Sequence, residues 1–147
     1  MKTYKGFFKP QHPEKYKGDV RNIVYRSGWE LRFMSFLDSK PSVLQWSSEE
    51  LAIPYRNPID GTWHRYFPDF TVTKRNKDGS IETNIIEIKP HKQTMVPETP
   101  KKRTKKYLNE VVTFAVNQAK WEAAENYCQK EGIKFLIMTE HDLNITP

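Results

Sequence analysis

The stretch from residue 62 to residue 89 limits the folds open to this chain more than any other. Thr62-Trp63-His64-Arg65-Tyr66-Phe67-Pro68-Asp69-Phe70-Thr71-Val72-Thr73-Lys74 and Ile81-Glu82-Thr83-Asn84-Ile85-Ile86-Glu87-Ile88-Lys89 are two runs rich in β-branched and aromatic residues. Between them lies Arg75-Asn76-Lys77-Asp78-Gly79-Ser80, whose Asp-Gly supplies the positive-φ position that a hairpin connection needs. A β-hairpin is therefore predicted. Two carboxylates sit oddly in it: Asp69 follows Pro68 at the start of one strand, and Glu87 interrupts the apolar run Ile85-Ile86-Glu87-Ile88. Burying a carboxylate is costly unless it is paired or bound to a metal. Side chains alternate along a strand, so Glu87 and Lys89 share one face and Ile86 and Ile88 the other. A carboxylate pair and an ammonium group can converge there.

That combination suits metal-assisted hydrolysis of a phosphodiester. Magnesium takes a few hard oxygen ligands and keeps several waters, which leaves room for a phosphate oxygen and the attacking water. Such an ion lowers the pKa of the water and polarises the phosphorus centre. Lys89 could orient or deprotonate the water, or neutralise charge on the transition state. Each piece has an ordinary structural explanation as well, since Pro-Asp often marks a turn and Glu-Ile-Lys is common in exposed strands. Their joint occurrence on paired strands favours chemistry.

Pro68-Asp69 followed by Glu87-Ile88-Lys89 resembles the PD-(D/E)XK nuclease superfamily, whose pattern is a proline-aspartate, a variable spacer, then an acid, any residue and a lysine. The nearer likeness is to TnsA-type endonuclease domains, in which a preceding helix carries a further active-site acid; Ser27-Gly28-Trp29-Glu30-Leu31-Arg32 offers Glu30 at that place. Over most of its length the chain also resembles the head completion nucleases of tailed bacteriophages, through Tyr4-Lys5-Gly6, Pro13-Glu14-Lys15-Tyr16 and Gly18-Asp19-Val20 ahead of Tyr25-Arg26-Ser27. The resemblance implies a restriction-endonuclease-like α/β (α+β) core, a mixed β-sheet flanked by helices. It implies a magnesium-dependent endodeoxyribonuclease, with manganese able to substitute, acting on double-stranded DNA. Asp69, Glu87 and the Ile88 carbonyl would be metal ligands, Glu30 would bind or support the metal, and Lys89 would position the nucleophilic water. A helix after the catalytic strands often lends a polar residue in this superfamily, for which Gln118 and Lys120 are available. Phage portal or neck proteins are the implied partners, with the host cytoplasm during assembly, or the virion, as the setting.

Composition agrees. At 147 residues the chain has the size of one domain, and 37% hydrophobic with 13% aromatic residues should give a folded core. Lys and Arg total 24 against 18 acidic residues, a net charge of +6, which favours a polyanionic partner through counterion release. A ribosomal or membrane-surface protein could carry the same charge. One cysteine, Cys128, excludes a disulfide framework within the chain and a cysteine-rich zinc site. No apolar run approaches membrane-spanning length, and no signal-peptide segment opens the sequence. A reducing cytoplasm fits.

Taken in order, residues 1–20 form an arm in which Lys2, Lys5, Lys9, Lys15 and Lys17 alternate with Tyr4, Phe7, Phe8 and Tyr16, and Pro10 and Pro13 block a long helix. Such an arm could touch DNA or simply be a solvated tail pinned by its aromatics. Residues 27–38 are predicted to be helical, capped by Ser27 with Glu30 completing a capping box, so Glu30 has a structural role that competes with a metal-site one. Val43-Leu44-Gln45-Trp46 reads as a short strand and Ser47-Ser48-Glu49-Glu50 as a polar turn. Leu51–Arg56 and Thr62–Phe67 read as a second strand pair joined by Asn57-Pro58-Ile59-Asp60-Gly61, with Tyr66-Phe67 in the core. His64 could approach a phosphate, assist near the metal or be structural, and Arg56 and Arg65 could contact phosphates.

After Lys89 the composition shifts to a basic, proline-rich loop, residues 90–106, which includes Lys92 and the cluster Lys101, Lys102, Arg103, Lys105 and Lys106. Lysines at a helix N-terminus oppose the macrodipole, so phosphate binding is the natural benefit, against a merely solvated charge run. A long helix is predicted from Tyr107 to Glu131, ended by Gly132, with an apolar stripe of Leu108, Val111, Val112, Ala115, Val116, Ala119, Ala123, Ala124 and Tyr127. Ile133–Met138 reads as a strand parallel to that of Glu87, and Thr139–Asp142 as a surface loop. The whole is predicted to be a mixed sheet with the site at its edge. No internal repeat, phosphate-binding Gly-rich loop or Ser-His-Asp constellation is present. Two other functions fit these residues: a transposition- or repair-type endonuclease that needs a partner, and a non-catalytic DNA-binding component of a phage head or neck.

Overall fold

The computed structural model describes residues 5–145; Lys2 and Tyr4 of the basic arm lie outside them. In chain order the elements are β1 (Gly6–Phe7), two 3-10 turns (Pro13–Lys15 and Val20–Asn22), β2 (Val24–Tyr25), α1 (Gly28–Ser39), β3 (Val43–Ser48), β4 (Ile53–Arg56), β5 (Trp63–Tyr66), β6 (Phe70–Arg75), β7 (Ile81–Ile88), a 3-10 turn (His91–Thr94), α2 (Lys105–Glu131), β8 (Lys134–Met138) and α3 (Glu140–Ile145).

The 62–89 stretch supplies β5 and the β6–β7 hairpin. Gly79 turns that hairpin at a φ of 90°, a backbone state that costs a side-chain-bearing residue 1–2 kcal/mol in order of magnitude. The main sheet runs β3-β6-β7-β8, with β3–β6 and β6–β7 antiparallel and β7–β8 parallel after the α2 crossover, so it is mixed as expected. β6 and β7 are its two interior strands, each flanked on both sides. The carboxylate-bearing strand ends therefore lie in the middle of the sheet and not at its edge, which corrects the sequence-based placement.

Alternation along β7 feeds two cores. Ile86 and Ile88 join Trp46, Phe70 and Val72 beneath Phe33, Met34 and Leu37 of α1. Ile85 joins Ile53, Tyr55 and Tyr66 beneath Trp121, Ala124 and Cys128 of α2. Two sheet faces are thus covered, by α1 on one side and by α2 with the small β4–β5 sheet on the other. This is a mixed α+β architecture consistent with a restriction-endonuclease-like fold.

Several local expectations need correction. β3 continues through Ser47 and Ser48, which are buried and pair with Thr71 and Phe70, so only Glu49 and Glu50 turn the chain. Ladder bonding and the Tyr16 hydroxyl, which accepts from Ser48 N–H at 3.1 Å, outweigh the turn preference of two serines. Along α2 the buried line is Asn117, Trp121, Ala124 and Cys128, whereas Leu108, Val111 and Val112 are exposed. The helix overhangs the sheet in its first turns, and periodicity alone does not show where a covering layer ends. Phe67 is exposed rather than in the core. Thr139–Asp142 opens α3, with the Asp142 carboxylate accepting from Thr139 N–H at 2.8 Å. Gly132 ends α2 in the left-handed conformation, as its sequence position indicates.

The arm is not a loose tail within the described residues. Gly6 and Phe7 pair with Tyr25 and Val24, Tyr16 is buried against Trp46, and Asp38 accepts from the N–H groups of Gln11 and His12 at 2.8 and 3.1 Å. The Lys15 ammonium donates to the carbonyls of Leu37, Asp38 and Lys40 at 2.8, 2.9 and 2.9 Å. The Leu37 and Asp38 carbonyls are orphan acceptors of the α1 C-terminus, where a cation also meets the negative end of the helix dipole, and the Lys40 carbonyl accepts from Val43 N–H as well. Lys15→Ala is accordingly expected to destabilise the protein by roughly 2 kcal/mol, read as a lower urea midpoint. A change below about 0.5 kcal/mol would mean that water replaces the ammonium freely.

Candidate active site

The site is assembled where β6 begins and β7 ends. Pro68 is fully buried and forces an extended approach to Asp69, whose Oδ2 accepts from Ile88 N–H on the neighbouring strand at 2.7 Å. This bond fixes the first carboxylate against the strand that carries the second. Glu87 is 6% exposed and faces the α2 side, where its Oε1 accepts from the Tyr66 hydroxyl at 2.7 Å. Lys89 follows on the same face, its Nζ 3.8 Å from Glu87 Oε2. From α1, Glu30 reaches the same region: its own N–H donates to Ser27 Oγ at 3.1 Å, and its Oε1 accepts from Arg26 N–H at 3.1 Å. Glu30 is thus part of the helix N-terminus and a neighbour of the carboxylate pair at once.

Electrostatics mark these acids out. Burial pushes the Asp69 carboxyl up to about 8, reinforced by the Glu87 charge and opposed by Ile88 N–H and Lys89. Glu87 is also raised, by burial, and eased by the Tyr66 hydroxyl and Lys89. Burial raises Glu30 too, with the Arg26 N–H opposing. Three carboxyl groups that resist ionisation at one strand end are the condition a bound cation relieves. Among the described residues no three His, Cys, Asp or Glu side chains form a ready metal cage. Asp69, Glu87 and the Ile88 carbonyl would offer hard oxygen donors and leave positions for water and phosphate, a set that suits a hard divalent cation.

Other sequence candidates fall at varying distances from this centre. His64 is tied to its own turn, its Nε2 meeting Thr62 Oγ1 at 3.0 Å and Asp60 Oδ2 at 2.9 Å, with its ring against Tyr55. That places it in the β4–β5 turn network and not beside the carboxylates. Gln118 is exposed on α2, whereas Lys120, rotated about 200° around the helix, lies 5.8 and 5.7 Å from the Tyr55 and Tyr66 ring centres. Lys120 is the α2 residue whose charge is felt at Glu87. Lys92 on the 3-10 turn, Lys101, Lys102 and Arg103 in the loop, and Lys105 and Lys106 in the first turn of α2 are all exposed. None of the six is in an ion pair among the described residues.

Sequence reasoning missed two features. From the sequence Tyr66 reads as a packing residue, yet a buried tyrosine hydroxyl needs a partner, and Glu87 is that partner. Glu49 adopts φ 55° directly after β3, donates its N–H to the Asp69 carbonyl at 3.1 Å and forms an ion pair with Arg26. The backbone bond makes this strained turn part of the wall behind Asp69, a long-range pairing with no local sequence signal.

The chain is similar to known endonucleases. A family model described as TnsA-like endonuclease N terminal matches residues 40–140. That span contains Asp69, Glu87 and Lys89 and leaves Glu30 outside it. The chain is also 42% identical over 145 residues, 96% of its own length and 94% of the relative's, to a protein named head completion nuclease from Enterobacteria phage T4.

Proposed function

This chain belongs to the TnsA-like endonuclease family, and from that premise we propose that it is a divalent-metal-dependent endodeoxyribonuclease that processes packaged DNA as a phage head is completed. The observation that carries the metal-dependent chemistry is the pairing of Asp69 with Glu87 at one strand end, both raised by burial, with Lys89 alongside. Head completion comes from the name of the T4 relative. Trimming DNA that protrudes at the portal, so that neck proteins can dock, is the role this reading assigns, in the host cytoplasm during assembly. No helix among the described residues is long and apolar enough to cross a membrane.

Asp69, Glu87 and the Ile88 carbonyl would hold the cation, with Glu30 as a supporting acid. Bound there, magnesium or manganese would supply a lowered pKa for water and positive charge beside the phosphate. The chain's own groups do the rest. The Ile88 N–H keeps Asp69 oriented, and the Tyr66 hydroxyl fixes one oxygen of Glu87 so that the other faces the site. Lys89 donates to the attacking water, holds it in line with the phosphorus and opposes the negative charge that develops there. The exposed basic residues Lys92, Lys101, Lys102, Arg103, Lys105 and Lys106 contact the DNA backbone, positioning it without reading sequence.

The purified protein, given linear, nicked and supercoiled DNA, is expected to cut with magnesium or manganese and to leave all three intact in EDTA. If it binds DNA yet never cuts, even with capsids supplied, the enzyme reading is replaced by that of a DNA-binding head component.

A further inference from the structure

The β4–β5 hairpin forms a two-stranded sheet of its own, with Ile53 opposite Tyr66 and Arg56 opposite Trp63. Strand alternation turns Ile53, Tyr55 and Tyr66 inward, where they pack with Trp121 of α2. The same alternation turns Pro54, Arg56, Trp63 and Arg65 outward, and all four are exposed. Trp63 is 70% exposed, and Phe67 just beyond the strand is 41% exposed with the Arg65 guanidinium 5.5 Å above its ring. An isolated exposed apolar residue is ordinary, but this face combines two exposed rings with two guanidinium groups.

Arg56 Nε donates to the Gly61 carbonyl at 2.9 Å, which holds the guanidinium across from Trp63, and neither Arg56 nor Arg65 meets a carboxylate among the described residues. Asp60, the one acid of the connecting turn, spends its oxygens on Thr62 and His64. A flat, exposed indole flanked by guanidiniums that no carboxylate neutralises matches a nucleobase between two phosphates. In a duplex the bases already stack on one another, so a surface ring of this kind needs a base without a partner.

We propose that the outer face of the β4–β5 hairpin is a docking surface for unpaired DNA, with Trp63 stacking on a base and Arg56 and Arg65 taking the adjacent phosphates. The proposal rests on the nuclease reading and narrows its substrate to DNA with a single-stranded segment, such as a protruding end. The same strand reaches the site: Tyr66, three residue steps and about 10 Å along β5 from Trp63 and on the opposite face of the hairpin, donates to Glu87.

The test is anisotropy of labelled oligonucleotides in EDTA, comparing a blunt duplex, a single strand and a duplex with a single-stranded extension, on wild type, Trp63→Ala and Trp63→Phe. Circular dichroism of each variant checks folding. Trp63→Ala is expected to weaken binding of the two DNAs with unpaired bases roughly 10- to 100-fold, with blunt duplex within about twofold and Trp63→Phe retaining most of the affinity. Arg65→Gln should lower the salt dependence by about one phosphate contact. Unchanged affinity of Trp63→Ala for the extended duplex, or equal losses on all three DNAs, overturns the proposal. Cleavage by wild type in magnesium is scored separately. If nothing is cut but the Trp63 dependence holds, the nuclease reading fails and the docking surface stands.

Discussion

Asp69→Asn is expected to abolish DNA cutting while stabilising the metal-free protein at pH 8. The first effect follows from removing a charged ligand: even partners behind a metal ligand cost 10- to 100-fold when lost, so losing the ligand itself should cost roughly 10³-fold or more. The second follows from the carboxyl group's position. In the unfolded chain it ionises near pH 4, as a free aspartate does. In the folded, metal-free protein burial and Glu87 push it up to about 8. Between those values the folded state holds a proton that the unfolded state has released, so stability falls as pH rises from about 4 to about 8. Asparagine does not titrate, keeps the volume and can still accept from Ile88 N–H. The variant and wild type should therefore melt most nearly alike near pH 4 in EDTA and diverge steadily to pH 8, where the variant gains up to a few kcal/mol. Magnesium, which binds the folded state, should narrow that gap for wild type alone. Equal melting at pH 8 in EDTA would remove the claim that Asp69 is held at an electrostatic cost.

Lys89→Ala carries the other large effect. Its ammonium is the nearest cation to Glu87, at 3.8 Å, and under the proposed mechanism it orients the attacking water and opposes transition-state charge. General acid–base and positioning groups of this kind contribute about 10²- to 10⁴-fold, and a loss in that range is expected in single-turnover cleavage at saturating protein. Binding of blunt DNA should change little, because the backbone contacts are assigned to the exposed basic residues of the 90–106 loop and the first turn of α2. Lys89→Arg should rescue poorly, since a planar fork does not place a point charge where an ammonium stood. Cutting by Lys89→Ala within about threefold of wild type would take Lys89 out of the mechanism.

Much of the site was legible because its chemistry and its strand geometry share one local signal. The Asp-Gly turn and the β-branched runs specify a hairpin, and the hairpin's period of two puts Glu87 and Lys89 on one face whatever packs above it. Ser27 and Gly132 mark helix ends through side-chain and backbone preferences that act within a few residues. Misplaced features all depended on a distant partner. The exposed start of α2 reflects where the sheet beneath it stops, Ser47 and Ser48 became strand because β6 supplies ladder partners, and Phe67 lost its expected burial because nothing covers the chain there.

Glu30 shows both origins in one residue. Its helical place follows from Ser27, whose hydroxyl accepts its N–H, and that much is local. Its nearness to Asp69 and Glu87 follows from α1 packing Phe33, Met34 and Leu37 on the sheet face formed by Ile86 and Ile88. The sequence by itself determined the hairpin, the helix limits and the alternation that aligns Glu87 with Lys89, since these depend on interactions among near neighbours. Only the tertiary structure decided that Tyr66 holds Glu87, that Glu49 backs Asp69, that Lys15 caps α1 and that Trp63 stands in water. Those outcomes depend on which apolar faces meet, and that is settled by burial summed over the whole chain.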